Sequence, residues 1–172
     1  MNLSRALHRL TANRPGRLIQ IDGKPYLERY FVARLLGLTI YLHRFVGPDG
    51  DRHVHNHPWR LSLSIVLRGG YREARLVSFA PYQTREREVR WINLIRRSTF
   101  HRIVGATRPG DTWTLFIHTT RRLGAWGFLQ KGDADHGQLI SYQEYPTPTD
   151  PDWHLTAPLG RDMPREPIME ET

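Results

Sequence analysis

The feature that most limits the fold is a rhythm of short strands. From Arg17 to Gln130, runs rich in β-branched and aromatic residues alternate with Gly, Pro and Asp. The expected strands are Arg17–Ile21, Lys24–Tyr30, Leu38–Val46, His53–His57, Leu61–Leu67, Tyr71–Ser78, Arg87–Leu94, Thr99–Val104, Thr112–His118 and Trp126–Gln130, with 138–145 as a further edge strand. Asp22-Gly23, Gly47-Pro48-Asp49-Gly50 and Gly69-Gly70 supply the turns. A chain of many short strands and almost no helix buries its apolar faces by forming a sandwich or a barrel.

The two ends have a different character. Leu3, Ala6, Leu7 and Leu10 share one face at helical spacing, and Pro15-Gly16 stops that helix. From Pro146 onward prolines are frequent and apolar residues few, so this stretch reads as a loosely held tail, with Trp153 and Leu155 as candidate pins. The expected organisation is an N-terminal helical arm over 1–16, one β-barrel domain over 17–145, and a Pro-rich extended tail over 146–172. A chain of 172 residues with 39% hydrophobic content suits one such domain.

Composition narrows the chemistry. The chain has no cysteine, so a metal ion must be held by histidine or carboxylate. No apolar run approaches a membrane span, and the N-terminus lacks the apolar core of a signal peptide, so the expected location is cytoplasmic with no membrane partner. The net charge is +8, and of 25 basic residues only Lys24 and Lys131 are lysines. The arginines are scattered rather than grouped, which favours a solvated surface over a nucleic-acid face. Nucleic acid stays the less favoured partner. A homodimer is a further possibility. Phosphate loops of the GxxxxGK or GxGxxG type and a GxSxG elbow are absent.

The segment Asp51–Trp59, DRHVHNHPW, carries the chemical signal. Side chains of a strand alternate between faces, so His53, His55 and His57 point the same way, and imidazoles at i and i+2 can share an ion. A third ligand must come from another strand, and His101 in the STFHRIV run is the candidate. His53 sits beside the turn and is read as solvent-facing or as an outer partner. His43, in the preceding strand, is a candidate to line the pocket. His118, His136 and His154 carry no signal, and His8 is read as an exposed helix residue.

Several stretches resemble small cupin-superfamily proteins of bacteria and phages. They are Tyr41-Leu42-His43, His55-Asn56-His57-Pro58-Trp59, Val66-Leu67-Arg68-Gly69-Gly70-Tyr71, Phe100-His101-Arg102-Ile103 and Trp126-Gly127-Phe128. The resemblance covers most of residues 26–130. It implies a double-stranded β-helix, the cupin jelly-roll barrel, with a metal inside. It also implies that the His-x-His pair of a first motif and the single His of a second map onto His55, His57 and His101. Many cupins add a Glu shortly after the pair. Here that stretch is Trp59-Arg60-Leu61-Ser62, so the site reads as three-His, with Glu73 or water as an outer partner.

The expected function is a metal-dependent, oxygenase-type enzyme acting on a small anionic or chelating molecule, with one divalent ion (Fe, Zn, Ni or Mn) as cofactor. The alternatives are a non-catalytic ligand-binding module with a structural metal, or a basic nucleic-acid-associated protein. Arg68 and Arg102 are candidate anion anchors, with plain solvation as an equal alternative. The odd positions of Leu61–Leu67 should supply an apolar pocket wall. Ser62 and Ser64 are small enough to leave room beside the metal, and Tyr71 completes the expected surroundings.

Overall fold

The computed structural model describes residues 3–21, 23–47, 53–131, 140–144 and 150–167. The turn residues Asp22 and Pro48–Gly50, His136, and the parts of the expected tail at 146–149 and 168–172 lie outside the described residues. One helix, α1 (Leu3–Thr11), precedes twelve strands: β1 (Gly16–Ile21), β2 (Lys24–Leu35), β3 (Leu38–Phe45), β4 (Val54–His55), β5 (Leu61–Arg68), β6 (Tyr71–Phe79), β7 (Tyr82–Val89), β8 (Ile92–Arg96), β9 (His101–Ala106), β10 (Thr112–Thr119), β11 (Gly127–Lys131) and β12 (Ile140–Glu144). They form two six-stranded sheets, ordered β1-β2-β3-β10-β5-β8 and β12-β11-β4-β9-β6-β7. The named strand pairs are antiparallel. The two sheets make a jelly-roll barrel. No helix among the described residues is long and apolar enough to cross a membrane.

Two layers of core follow from the alternation of side chains. The inner face of β2 and β3 carries Leu27, Tyr41 and Phe45. These pack with Tyr71, Val89 and Ile103 near one end of the lumen, and with Ile95, Phe116 and Trp153 near the other. The outer face carries Tyr30, Leu42 and Trp113, which are covered by Leu7 of α1 and by Met163. Trp113, fully buried, donates its Nε1 to Ser4 Oγ at 2.9 Å, which ties the helix to the sheet.

Three expectations need correction. The single run Arg87–Leu94 is two strands, β7 and β8, in different sheets, separated at Arg90 and the exposed Trp91. Most of β7 is charged and solvent-facing, so it has no apolar alternation to announce it. On β5 the faces are reversed. Ser62 and Ser64 are buried, whereas Leu61 is exposed and Leu63 and Ile65 lie opposite the exposed Leu94 and Ile92 on the outer surface. The lumen is polar at this point, because Ser64 lies opposite the buried Asn93.

The third correction concerns the tail. Residues 150–167 are packed against the body. Gly16 N donates to Pro158 O, Gly160 N to Arg14 O, and Arg161 N to Ala12 O, at 2.9, 2.8 and 3.0 Å. Trp153 and Met163 are buried, whereas Leu155 is exposed and pins nothing. Gly160 runs so close that an added Cβ would meet Thr11 O at 2.2 Å. Prolines exclude a ladder, but an extended chain still offers its carbonyls to donors elsewhere, and this one offers them to an arginine.

Candidate metal centre

His55 ends the two-residue strand β4, directly opposite His101 of β9. His57 follows outside the strand, so the expected five-residue strand is shorter than the sequence suggests. The backbone between the two histidines is clamped. Asn56 N donates to Gly127 O at 3.1 Å, and Asn56 Oδ1 accepts from Gly127 N at 2.9 Å. Pro58 O accepts from Leu123 N, and the Trp59 ring stacks on His118 at 3.6 Å and lies 5.5 Å from the His57 ring. Asn56, Pro58 and Trp59 therefore hold the stretch on which His55 and His57 sit.

The three imidazoles converge. One nitrogen of each lies within 4.8 Å of the others, and the His57 and His101 Nε2 atoms are 2.9 Å apart. Two nitrogens bonded to one ion at roughly 2.0–2.1 Å, at about a right angle, would be about this far apart. His55 Nδ1 is buried without a hydrogen-bond partner. Burial first, and then the neighbouring His101, push His55 down to about 3, against the pull of Glu73. Burial and the surrounding imidazoles and Arg29 hold His57 well below its usual value. Both rings are therefore neutral at pH 7 and offer lone pairs, the form a divalent ion requires. The residues fit such an ion.

Glu73 on β6 sets the orientation of His101. Its Oε2 lies 3.1 Å from His101 Nδ1 and accepts from Asn93 Nδ2 at 2.6 Å. Its Oε1 accepts from Arg87 Nε at 2.6 Å and from Arg75 Nε. Burial alone would raise this carboxyl, but the hydrogen bonds with His101 and Arg87 and the charge of Arg75 bring it down to about 2. An anionic Glu73 takes the Nδ1 proton of His101 as a hydrogen bond, which leaves Nε2 as the lone pair turned toward His57.

The histidines border a cavity of about 160 Å³, whose other lining includes His43, Phe45, Ser64, Tyr71, Ile95, Ile103 and Phe116. Burial pushes the Tyr71 hydroxyl up to about 12, so it remains a protonated donor. Of the expected surroundings, His43 and Tyr71 face this space and Glu73 stands behind His101. Ser62 is buried but does not line the cavity; Ser64, two residues on, does. His53 is half-buried and outside the three-His group. Arg68 pairs with Asp111 at 2.7 Å, away from the lumen, and Arg102 alternates outward between the buried His101 and Ile103. Neither arginine lines the cavity, because each occupies a strand position whose side chain leaves the barrel.

Three residue groups escaped the sequence reading. Asn93, Arg75 and Arg87 complete the cage around Glu73. His118 is buried beside Trp59, and Arg29 lines the cavity itself. A signal for Arg29 exists, because it shares the inward side of β2 with Leu27, between two residues of the outer face.

Burial, foremost, pushes His118 to about 4, and burial holds His43 well below 6.5. The unfolded chain then binds protons more readily than the folded one. The metal-free protein should therefore keep its stability above about pH 6.5 and lose it progressively as pH falls toward 4. A flat unfolding midpoint across pH 7 to 4 would contradict the neutral burial of these rings.

No family model matches the chain, and no curated protein matches it. Among solved structures, Fe(II)-HppE with the alternative substrate (S)-1-HPP aligns at TM-score 0.50 and 13% identity, over 63% of this chain and 57% of that one. Hydroxypropylphosphonic acid epoxidase from S. wedmorenis aligns at TM-score 0.45 and 13% identity, over 63% and 56%. An oxalate decarboxylase variant from Bacillus subtilis aligns at TM-score 0.47 and 13% identity, over 63% and 28%. The matched part spans little more than half of the first two structures. The first of these, at TM-score 0.50, shows the fold: the chain is a jelly-roll barrel of the cupin type, with three histidines grouped inside it where one ion can be held.

Proposed function

We propose that this protein is a metal-dependent enzyme of the oxygenase type. In this reading His55, His57 and His101 hold one divalent ion, Fe(II) being the first choice among Fe, Zn, Ni and Mn, and the substrate is a small anionic or chelating molecule. The carrying observation is the placement of three imidazole nitrogens in the wall of a cavity of about 160 Å³ lined mostly by apolar side chains. At roughly 10–15 Å³ per water-sized group, that space admits a molecule of about ten non-hydrogen atoms.

The ion would supply Lewis-acid and, for iron, redox chemistry toward a chelating substrate and O₂. The chain does the rest. Neutral histidines leave the ion its full charge, which favours an anionic ligand over a neutral one. Glu73 fixes the His101 ring. Phe45, Ile95, Ile103 and Phe116 keep bulk water from the reacting face. The Tyr71 hydroxyl offers a proton donor on the same wall.

Elemental analysis of the purified protein tests the first step, and close to one divalent ion per chain is expected. Oxygen uptake by the iron-loaded protein is then measured with a panel of small chelating acids and thiols. Stoichiometric metal without oxygen uptake would instead indicate a ligand-binding barrel with a structural ion. No metal at all would overturn the proposal.

A further inference from the structure

The cavity beside the histidines also contains a charge that no described carboxylate balances. Arg29 occupies an inward position on β2, opposite His43 on β3. Its Nε donates to His43 Nε2 at 3.0 Å, and its guanidinium carbon lies 5.4 Å from the centre of the Tyr41 ring. Other arginines, from the fully buried Arg44 to the partly exposed Arg68, Arg75 and Arg87, are paired. Arg44 has Glu28, Arg68 has Asp111, and Arg75 and Arg87 share Glu73. Arg29 has no ion pair among the described residues. Burial, and then the charge of Arg17, lower it to about 10, so it is still a cation at pH 7. Arg29 is half-buried, and a cation withdrawn from water without a counter-ion is costly, a cost that an anionic ligand would offset.

Two adjoining recesses meet at this arginine. Arg29, His57 and Trp126 border both the 160 Å³ cavity and a second recess of about 70 Å³. Arg17, Arg34, Arg122 and Asp150 line that recess, and Arg34 is paired with Asp152 at 2.7 Å, whereas no carboxylate lies within ion-pair distance of Arg29 among the described residues. Because His43 engages Nε, the two terminal nitrogens of Arg29 remain as the pair that grips a carboxylate or phosphate end-on.

We propose that Arg29 is the counter-ion for a second anionic group of the substrate, so that the ligand is a short dianion. One end chelates the ion on the three histidines, and the other is a carboxylate or phosphate-like group on the Arg29 terminal nitrogens. Arg29 is then the residue that selects dianions over monoanions. This assignment rests on the three-His metal reading.

The test uses two probes with the same chelating head. Lactate and 2-hydroxyglutarate are both 2-hydroxy acids, and only the second carries a distal carboxylate. Each is titrated calorimetrically into the Co(II)-loaded wild type and into Arg29→Met and Arg29→Lys, with metal content measured in parallel. Wild type should bind 2-hydroxyglutarate roughly tenfold to hundredfold more tightly than lactate, as for a hydrogen bond to a charged partner. Arg29→Met should lose that preference while keeping its metal and its lactate affinity. Arg29→Lys, which keeps the charge but not the fork, should retain part of it. Equal binding of the two acids by wild type, or an undiminished preference in either variant, would remove Arg29 from this role and leave the metal centre standing. If wild type takes up no cobalt, or binds neither acid, the metal reading fails and this assignment fails with it.

Discussion

Replacing Glu28 by alanine should destabilise the protein by about 3–5 kcal/mol and lower its unfolding midpoint by roughly 6–20 °C. The Glu28 and Arg44 side chains are both 0% exposed. Glu28 accepts from Arg44 Nη1 at 3.1 Å, from Tyr30 Oη at 2.7 Å, and from Glu166 N at 2.7 Å. Arg44 spends its remaining donors on carbonyls: Gly110 O at 2.8 Å, Glu166 O at 2.6 Å and Pro167 O at 2.7 Å. Without Glu28 a buried cation faces only neutral oxygens. The cost is that of an uncompensated charge, which exceeds the net value of the intact pair. Adding Arg44→Met should therefore recover part of the loss, since the second change removes the stranded charge. Urea or thermal unfolding of both single variants and the double variant would show this coupling. Strictly additive costs would mean that the two side chains are not paired in the dry layer between sheet and C-terminal segment. Both lie outside the lumen, so metal content should not change.

This pair also shows where sequence reading ran out. The barrel and its histidines were legible because they depend on local periodicity. Strand alternation puts Tyr41, His43 and Phe45 on one side, and His-x-His on a short strand brings two imidazoles toward one point. The Pro-rich segment was misread as loose because its attachment is not periodic. It is held by carbonyls offered to Arg44 and by single anchors, Trp153 and Met163, whose partners lie on strands far away in sequence, among them Tyr41 and Tyr30. The β7–β8 boundary was missed because a charged edge strand has no buried face to reveal it. On β5 an inverted expectation arose because leucines were assumed to point inward. The lumen at that point needs small polar side chains instead, and the leucines and isoleucines face outward. The anion anchor was sought next to the motifs, at Arg68 and Arg102. The arginine that lines the cavity is Arg29, and only the register of β2 against β3 shows which way its side chain turns.

Metal affinity should depend on Glu73 almost as much as on the histidines. Combined replacement of His55 and His57 by alanine should abolish metal binding, because one imidazole cannot retain an ion against water. The subtler variant is Glu73→Gln, expected to weaken metal binding about 10–100-fold with the barrel still folded. The two oxygens of Glu73 are both acceptors: one faces His101 and Asn93, the other Arg75 and Arg87. A carboxamide has one oxygen and one donor nitrogen, so either orientation turns its nitrogen toward groups that also donate. If the nitrogen faces His101, that ring loses the acceptor that fixes its tautomer. If it faces the arginines, the cage loosens and the ring is held less firmly. The stability cost should be smaller than for Glu28→Ala, because the Arg75 and Arg87 side chains are 24% and 43% exposed and can turn to water. Competition with a chromophoric chelator would measure the affinity, and thermal unfolding would report the fold. Unchanged affinity in Glu73→Gln would show that Glu73 does not orient His101. Full occupancy in the double histidine variant would show that the ion is held elsewhere.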